Sequence, residues 1–365
     1  MEGLGRLMYN MSFYKDKKVF VTGHTGFKGS WLCRMLINAG AKVTGFALAP
    51  ENELSLFRIA DIENNMASII GDIRDFDKLK NAFFDANPEI VFHLAAQPIV
   101  RESYVNPVYT YETNVMGTVN VLEAARMCKS VKSIVNVTTD KVYRNYEQSE
   151  GYEEDDFLDG YDPYSNSKSC SELVTNTYIR CYFRDNGVAV STVRAGNVIG
   201  GGDFAKDRII PDCVRAALSK ENIIIRNPYS IRPFQHVIEP LFAYLMIAEK
   251  QYRDINLAGS YNIGPDEGDC ITVGKLVDVF CNSWGNEVSY EVVCENNAPH
   301  EAKFLKLKCD KLKQIFGWKP VWNIDKSIDM ICRFSKKLSD AKSIPDEMDF
   351  EINKYMEDRN VKLEK

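Results

Sequence analysis

The sequence contains no apolar run close to the ~18 residues that a membrane-spanning helix needs. Its N-terminal stretch also lacks the apolar core of a secretory signal. Ten cysteines are scattered along the chain, but no CxxC pair occurs among them. In a chain without a secretory signal, such cysteines are expected to be reduced and mostly buried. We therefore expect a cytoplasmic protein that does not bind membranes.

Histidine is also rare, and the four histidines lie far apart, at His24, His93, His236 and His300. No HxxxH or Cys/His spacing is present, so the sequence predicts no metal site. A GxSxG motif is absent as well, which leaves a serine-hydrolase triad without support. We expect each histidine to have a core or loop-capping role.

Charge and composition exclude further classes of protein. The 365 residues include 45 basic and 51 acidic side chains, a formal net charge of −6, and 45% of them are hydrophobic. This composition excludes wholesale disorder. A mildly acidic chain is a poor candidate for non-specific binding to nucleic acid. The length allows one large domain or two moderate ones.

Short β-branched runs alternate with helical patterns over the first half of the chain. The segments KKVFVTG, AKVTGF, ASIIGD, EIVFHLAA, VKSIVNVTT and VAVSTVRAG are predicted to be strands. Strands that alternate with helices of ten or more residues pair in parallel through right-handed crossovers. The order predicts an α/β fold built on a doubly wound, mostly parallel Rossmann sheet.

After Gly196 the regularity fades, and glycine, proline and arginine cluster. We expect a smaller, mixed α/β C-terminal domain here, packed at the carboxyl edge of the sheet. The predicted dinucleotide-binding domain comprises residues 13–195 together with roughly 235–262, and the second domain comprises residues 196–234 and 263–345. Residues 1–12 and 346–365 are predicted to be peripheral tails.

The segment VTGHTGFKGS places three glycines between the first strand and the first helix. Gly23 permits a tight turn, Gly26 lets a pyrophosphate approach the backbone, and Gly29 lets helix and strand pack closely. A tight turn without a ligand is the alternative. In this strand-turn-helix context, however, the motif predicts dinucleotide binding, and its GxxGxxG spacing resembles that of short-chain dehydrogenases/reductases.

The acidic residue expected at the end of the second strand is missing, because the chain reads GFALAPENE there. No arginine follows immediately to pair with a 2′-phosphate, so NAD is favoured over NADP. Asp72, after the third strand, is placed to contact an adenine ring. A plain turn aspartate fits the same position nearly as well.

Tyr164 and Lys168 form a YxxxK motif, which on a helix puts both side chains on one face. A nearby cation lowers the pKa of a tyrosine toward the working range of a general base. The motif alone is weak, because Tyr14 and Lys18 also match it. Position distinguishes Tyr164, whose helix follows the strand ending in TTDK, at the edge where open α/β sheets bind ligands.

Three arginines of the second half, Arg208, Arg226 and Arg232, stand with Asn197 in segments rich in glycine and proline. A guanidinium fork suits the diphosphate of a substrate better than it suits a core. A solvated surface position is the alternative for each arginine.

Together these motifs resemble the extended short-chain dehydrogenases/reductases that act on nucleotide sugars, and within them the CDP-glucose 4,6-dehydratases. The strings that carry the resemblance lie between about Phe13 and Lys336: GHTGFKGSWL, FHLAAQPIVRESY, NVMGTVNVLEA, TTDKVY, YDPYSNSK, RAGNVIGGGDFAKDRIIPD and IRPFQHVIEPL. TTDK is the most diagnostic of them. The related dTDP-glucose and GDP-mannose dehydratases carry glutamate where this chain has Lys141.

The resemblance implies a lyase that converts CDP-glucose, or a similar sugar nucleotide, to a 4-keto-6-deoxy sugar with NAD as cofactor. Tyr164, activated by Lys168, would take the hydroxyl proton at carbon 4, and Thr139 would bond that oxygen. Asp140 would protonate the hydroxyl leaving carbon 6, and Lys141 would remove the proton at carbon 5. Since a lysine base must be neutral, Lys141 is expected near the cationic Lys168 or in a desolvated pocket.

The resemblance also implies which residues contact the ligands. Those expected at the cofactor are Gly23, Thr25, Gly26, Phe27, Gly29, Asp72, Ile73, Leu94, Ala95, Ala96, Asn114, Tyr164 and Lys168. Those expected at the substrate are Asn197, Arg208, Arg226 and Arg232. Such enzymes usually pair as homodimers through the helices that contain Asn114 and Tyr164, and their product feeds 3,6-dideoxyhexose synthesis for surface polysaccharides such as O-antigen.

Other functions stay open at this point. A nucleotide-sugar 4-epimerase needs Tyr164 and Lys168 but no acid for the loss of water, whereas Asp140 and Lys141 supply an acid and a second base. A 4,6-dehydratase acting on another nucleotide-glucose is a further alternative. A catalytically inactive NAD-binding scaffold is the last, since a fold does not imply an activity; the intact TTDK, YxxxK and glycine motifs argue against it.

Overall fold

A computed structural model of the chain describes residues 11–50, 52–148, 150–285, 288–293, 304–340 and 343–364. Its strands in this part of the chain are β1 (Lys18–Thr22), β2 (Lys42–Ala47), β3 (Ala67–Ile70), β4 (Ile90–His93), β5 (Ser133–Val137), β6 (Ala189–Ala195), β7 (Val198–Ile199), β8 (Ile223–Ile225), β9 (Ile231–Pro233), β10 (Gln235–His236), β11 (Ser260–Ile263), β12 (Cys270–Thr272) and β13 (Tyr290–Val292). Its helices are α1 (Phe27–Asn38), α2 (Leu56–Ile59), α3 (Phe76–Ala86), α4 (Val100–Val105), α5 (Pro107–Tyr111), α6 (Gly117–Met127), α7 (Pro163–Tyr178), α8 (Ile209–Ser219), α9 (Ile238–Arg253), α10 (Val273–Trp284), α11 (Asp310–Phe316), α12 (Ile324–Lys336) and α13 (Ile344–Glu364).

Seven strands form one parallel sheet in the order β3-β2-β1-β4-β5-β6-β11. Strand β1 pairs with β2 on one side and with β4 on the other, so the chain order reverses at β1. Ligands of open α/β sheets bind in the crevice outside the carboxyl ends of the strands at such a reversal. The doubly wound parallel sheet predicted from the sequence is confirmed, with β11 added at one edge as a strand that the sequence pattern did not reveal.

The two faces of the sheet are covered by different helices because side chains alternate along each strand. Val19 and Val21 of β1 belong to a buried cluster with α1, α9 and α13. Phe20 points to the other face, where its ring lies 4.2 Å from that of Phe83 in α3. The sheet is therefore buried on both sides, and its ligand-binding edge is left at the carboxyl ends of the strands.

The second half of the chain adds three small two-stranded sheets, which pair β7 with β10, β9 with β12, and β8 with β13. Helices α8, α10 and α12 pack around a separate buried cluster that includes Ile210, Leu276 and Ile328. The smaller mixed α/β part predicted after Gly196 is thus present. The residue boundaries given for the two domains stay a prediction.

The prediction of a peripheral tail from residue 346 is wrong for the described residues. Helix α13 buries Met348, Ile352 and Tyr355 in the main core. These residues recur at helical spacing, and the abundant charge around them hides this apolar stripe in the sequence. At the other end, Met11 is also buried in the core, and residues 1–10 lie outside the described part of the chain. No helix within the described ranges is long and apolar enough to cross a lipid bilayer.

Candidate active site

The glycine loop joins β1 to α1 at the middle of the sheet. Gly23 has a φ of +77°, and a Cβ there would lie 2.7 Å from the backbone nitrogen of Ala95. A Cβ at Gly29 would lie 2.1 Å from the Gly23 oxygen, so the helix touches the loop. At Gly26 the nearest atom would be 3.5 Å away. Packing therefore requires glycine at Gly23 and Gly29, while Gly26 leaves open the space that a pyrophosphate needs.

The first turn of α1 can bind an anion. Gly26 is its N-cap and provides no side-chain hydrogen bond, and the turn contains no acidic residue. Its backbone N–H groups thus keep the unsatisfied donors and positive dipole end that favour phosphate. Next to it, the amides of Leu94 and Ala95 each donate to Thr22 Oγ1 at 3.2 Å, which ties the ends of β1 and β4 together. Thr25 donates from Oγ1 to the Leu48 oxygen at 2.9 Å.

Asp72 and Asn114, which are both predicted to contact the cofactor, already have protein partners. The Asp72 carboxylate pairs with Arg74 at 2.7 Å, and this hydrogen bond lowers the pKa of Asp72. Asn114 is buried, and its amide nitrogen donates to the Gln97 oxygen and to Ser167 Oγ at 3.1 and 2.9 Å. Asn114 thereby links the loop after β4 to α7, so in this structure it supports the helix that carries Tyr164.

Tyr164 and the TTDK turn come together at the carboxyl edge of the sheet. The Tyr164 phenol is hydrogen-bonded to Thr139. Thr139 Oγ1 donates to Asp140 Oδ1 at 3.0 Å, and Lys141 Nζ donates to the same oxygen at 3.1 Å. The other carboxylate oxygen, Oδ2, is buried without a protein partner. These four residues form one chain of contacts, with one acidic oxygen left for a substrate.

The charges around the Tyr164 phenol differ from the expectation. Burial raises the pKa of Tyr164 above its usual value, and Lys141 is the strongest of the groups that oppose this, ahead of Arg208. Lys168 instead donates from Nζ to the Val137 oxygen at 3.1 Å. Burial lowers the pKa of Lys168 to about 8, while Glu172 opposes that shift. In this structure the cation that acts on Tyr164 most is Lys141.

Lys141 also differs from the expectation in its surroundings. Its side chain is 31% exposed and forms an ion pair with the buried Asp140. Lys141 was expected either near the cationic Lys168 or in a desolvated pocket, and the desolvated pocket is not found. The reason is its position on the short turn after β5, where the end of the side chain reaches water.

Lys28 belongs to this site, although sequence reasoning missed it. It follows Phe27 in the first turn of α1. Burial lowers the pKa of Lys28 to about 7, with Arg208 and Lys168 lowering it further and Asp140 raising it. The glycine-loop helix thus carries a lysine that is electrostatically coupled to Asp140, Lys141 and Lys168. The available signal was the lysine inside GFKGS, directly beside the predicted pyrophosphate site.

The predicted substrate residues fall into different environments. The Asn197 oxygen Oδ1 is buried and unpartnered. Arg208 bonds to Asp203 at 3.1 Å and acts electrostatically on Tyr164. Arg232 is buried, whereas Arg226 lies at the surface in an ion pair with Asp207. Contact of these four residues with a substrate stays a prediction.

The cofactor loop and the second half of the chain are in direct contact. Trp31 in α1 donates from Nε1 to the Gly201 oxygen at 3.0 Å. A Cβ on Gly200 would lie 3.0 Å from the ring of Phe27. The glycine-rich segment after β7 therefore packs against α1. In the described part of the chain, no three His, Cys, Asp or Glu side chains gather as metal ligands would; His300 lies outside it.

The sequence is similar to those of known enzymes. A sequence model of the family described as GDP-mannose 4,6 dehydratase matches residues 20–331. A CDP-glucose 4,6-dehydratase of Salmonella typhimurium is 48% identical over 335 residues, which cover 90% of this chain and 93% of that protein. A probable dTDP-glucose 4,6-dehydratase of Sinorhizobium fredii is 27% identical, covering 85% of this chain and 90% of that protein.

Solved structures share the fold. A dTDP-glucose 4,6-dehydratase of Bacillus anthracis in complex with NAD has a TM-score of 0.73 at 21% identity, covering 87% of this chain and 96% of that one. A UDP-glucose 4-epimerase of Thermotoga maritima has a TM-score of 0.75 at 22% identity, covering 88% and 99%. Both a dehydratase and an epimerase share this fold, so the reaction must be argued from the residues at the site.

Proposed function

We propose, from the premise that this chain belongs to the GDP-mannose 4,6 dehydratase family, that it converts CDP-glucose to CDP-4-keto-6-deoxyglucose by removing water. The observation that carries the proposal is the contact of Asp140 and Lys141 beside Tyr164. An epimerase needs the tyrosine and lysine of the YxxxK motif, whereas an elimination needs an acid and a second base as well. The choice of CDP-glucose is supported by the 48% identity to the Salmonella enzyme.

NAD is the cofactor, and the glycine loop fits it. Gly26 leaves space at the uncapped end of α1, where backbone N–H groups and Lys28 favour a pyrophosphate. NAD, when bound, supplies the site with an acceptor that takes a hydride from the sugar and returns it within one cycle. The protein's own residues must move the protons and hold the sugar, because those tasks lie outside the chemistry of the cofactor.

Tyr164 takes the first proton in the proposed mechanism. Its phenolate accepts the proton of the hydroxyl at carbon 4, while Thr139, already bonded to the phenol, holds the sugar oxygen. Lys141 and Arg208 favour the phenolate and so oppose the effect of burial on the pKa of Tyr164. Oxidation at carbon 4 gives a ketone, which makes the hydrogen at carbon 5 acidic.

Asp140 and Lys141 then remove water across carbons 5 and 6. Transfer of one proton from the Lys141 ammonium to the Asp140 carboxylate across their hydrogen bond gives the neutral amine and the carboxylic acid that this step needs. Lys141 Nζ then takes the proton from carbon 5, and the electron pair forms the double bond to carbon 6. Asp140 gives its proton to the hydroxyl that leaves carbon 6, so that water departs. The buried Oδ2 of Asp140 is the oxygen available for this transfer, because Oδ1 is already bonded to Thr139 and Lys141.

The substrate nucleotide is tested by mass. The purified protein is incubated with CDP-, dTDP-, UDP- and GDP-glucose in turn, and the products are weighed. We expect the loss of one water, fastest with CDP-glucose. Faster turnover of another nucleotide-glucose would show that the reaction is correct and the substrate is not. An unchanged mass with altered stereochemistry would show that the protein is an epimerase and not a lyase.

The chain is further proposed to act as a homodimer in the cytoplasm. Helices α5 and α7 pack against each other and leave apolar side chains exposed, among them Val108 and Leu173. Such a surface suits a second copy of the chain better than water. The described cysteines are all unpaired thiols, which suits a reducing compartment. The product would feed the synthesis of deoxy sugars for surface polysaccharide.

A further inference from the structure

Glu172 lies one helical turn beyond Lys168 in α7 and is fully buried. Thr138 Oγ1 and Thr192 Oγ1 each donate to it at 2.6 Å. Arg194 donates from Nε and Nη2 to its two oxygens at 2.9 Å each. The carboxylate thus accepts four hydrogen bonds from three residues, two of them on β6 and one directly after β5.

One partner of Glu172, Thr138, lies directly before the turn that contains Asp140 and Lys141. Lys168 donates to the oxygen of Val137, and Glu172 accepts from the side chain of the next residue, Thr138. Thr139 then begins the turn that contains the acid and base of the proposed reaction. Lys168 and Glu172, on consecutive turns of α7, thus bond to Val137 at the end of β5 and to Thr138 directly after it. These two bonds fix the Thr138–Lys141 turn relative to α7.

The charge of Glu172 also acts on Lys168. Burial lowers the pKa of Lys168 to about 8, and the Glu172 carboxylate is the group that raises it. A lysine that loses its proton near neutral pH can no longer supply a positive charge to the site. Glu172 therefore extends the pH range over which Lys168 is a cation.

Stability alone gives little reason for this buried pair. Arg194 is 2% exposed and Glu172 is 0% exposed. Buried ion pairs can often be replaced by apolar residues of similar volume with no loss of stability, since the attraction barely repays the desolvation of two charges. The position of the Glu172–Arg194 pair next to the Thr138–Lys141 turn instead indicates a role in the reaction.

We propose that Glu172, held by Arg194, is a positioning residue: it fixes the Thr138–Lys141 turn against α7 and keeps a positive charge on Lys168. The inference rests on the proposed function, in which the oxidation is begun by Tyr164, one helical turn before Lys168 on α7. The Glu172 carboxylate acts through its neighbours and contacts no reacting atom.

The test compares three variants in single-turnover reduction of NAD by CDP-glucose over a range of pH. Glu172→Gln combined with Arg194→Met removes both buried charges, so that neither is left without a partner. Glu172→Asp keeps the charge but shortens the reach toward Thr138. Glu89→Gln is the matched control, because Glu89 is a part-buried carboxylate bonded to Lys17 at the opposite edge of the sheet.

For the double variant we expect the alkaline limb of the rate profile to move to lower pH by about one unit. At pH values above the alkaline limbs of both proteins, the rate of the double variant should therefore be about tenfold lower than that of the unmodified protein. Glu172→Asp should keep the limb in place but slow the reaction, since the turn is held less well. Glu89→Gln should match the unmodified protein in both respects. Affinity for NAD and the thermal midpoint are measured for each variant to separate binding and folding from the rate.

A folded double variant with an unmoved limb would show that Glu172 has a structural role alone, and the inference would be lost. If the double variant does not fold, Glu172→Asp decides: a slower reaction with the limb in place supports the inference, and an unchanged rate contradicts it. Failure of the proposed function is seen separately, because the unmodified protein would then release no water from any sugar nucleotide.

Discussion

Lys141 Nζ lies 3.1 Å from Asp140 Oδ1, while the second oxygen of Asp140 is buried without a partner. The candidate acid and the candidate base of the elimination are thus bonded to each other before any substrate binds. Because one carboxylate oxygen holds the lysine and the other is unpartnered, a sugar hydroxyl can bind Asp140 without displacing Lys141.

Lys141→Arg should retain the first oxidation and stop the elimination. Arginine keeps the positive charge that lowers the pKa of Tyr164, but it cannot give up its proton and so cannot act as a base. We expect NADH formation within a few-fold of the unmodified rate, and deuterium uptake at carbon 5 reduced on the order of 100-fold. Single-turnover absorbance combined with proton NMR measures both.

Lys141→Ala is the matched contrast, since it removes base and charge together. It should slow the first oxidation as well as the exchange at carbon 5. Undiminished deuterium uptake in either variant would assign the carbon 5 proton to another residue.

Asp140→Asn should separate proton removal from the loss of water. Asparagine has no acidic proton to donate, whereas Lys141 can still reach carbon 5. We expect deuterium uptake at carbon 5 to continue while release of water falls on the order of 100-fold or more. Mass spectrometry of the sugar follows both. A variant that loses exchange and dehydration in the same proportion would show that the two residues act as one unit.

Tyr164→Phe should abolish the first oxidation itself. The phenol is the group that accepts the hydroxyl proton, and its neighbour Thr139 is too weak a base to replace it. No NADH should form when the variant is mixed with CDP-glucose, although NAD should still bind. Detectable NADH at a rate near that of the unmodified protein would move the role of first base elsewhere.

Gly26→Val and Gly29→Ala should fail in different ways. A Cβ at Gly26 would lie 3.5 Å from the nearest atom, so the protein should fold but bind NAD poorly. At Gly29 a Cβ would lie 2.1 Å from the Gly23 oxygen, so the fold itself should be destabilised. Calorimetric titration with NAD and thermal unfolding distinguish the two. Unchanged NAD affinity in a folded Gly26→Val protein would mean that this loop does not hold the cofactor.

Binding of NAD should be accompanied by uptake of a proton at Lys28. In the absence of ligand its pKa is about 7, so near pH 7.5 most of these side chains are neutral. A diphosphate beside the ammonium raises the pKa of Lys28, so the group takes up a proton on binding. Titration calorimetry in buffers of different ionisation enthalpy should detect this uptake at pH 7.5. Lys28→Met should bind without it, and an equal uptake in that variant would assign the proton to another group.

Much of the fold could be predicted because its signals are local. Alternating strands and helices fix the parallel sheet, and the glycine loop is complete within ten residues. Strand β11 escaped because it has four residues and little periodicity. Helix α13 escaped because its buried side chains are surrounded by charge.

The site could be predicted in part, for the same reason. The YxxxK and TTDK motifs are short and recognisable, whereas the partners of Glu172 come from β6 and from the residue directly after β5. In the sequence, Arg194 reads as one more strand residue and Glu172 as one more helical charge. The electrostatic effect of Asp140 and Lys168 on Lys28 likewise exists only in the folded chain, since these residues lie far apart in the sequence.

The most direct test of the account follows a label through one reaction. The protein is supplied with NAD and with CDP-glucose that carries deuterium at carbon 4, and the product is examined by NMR and mass spectrometry. We predict that the sugar loses one water and that the deuterium is found at carbon 6 of a 4-keto-6-deoxy product. A product of unchanged mass, with the deuterium still at carbon 4 and the configuration there inverted, would contradict the dehydratase assignment.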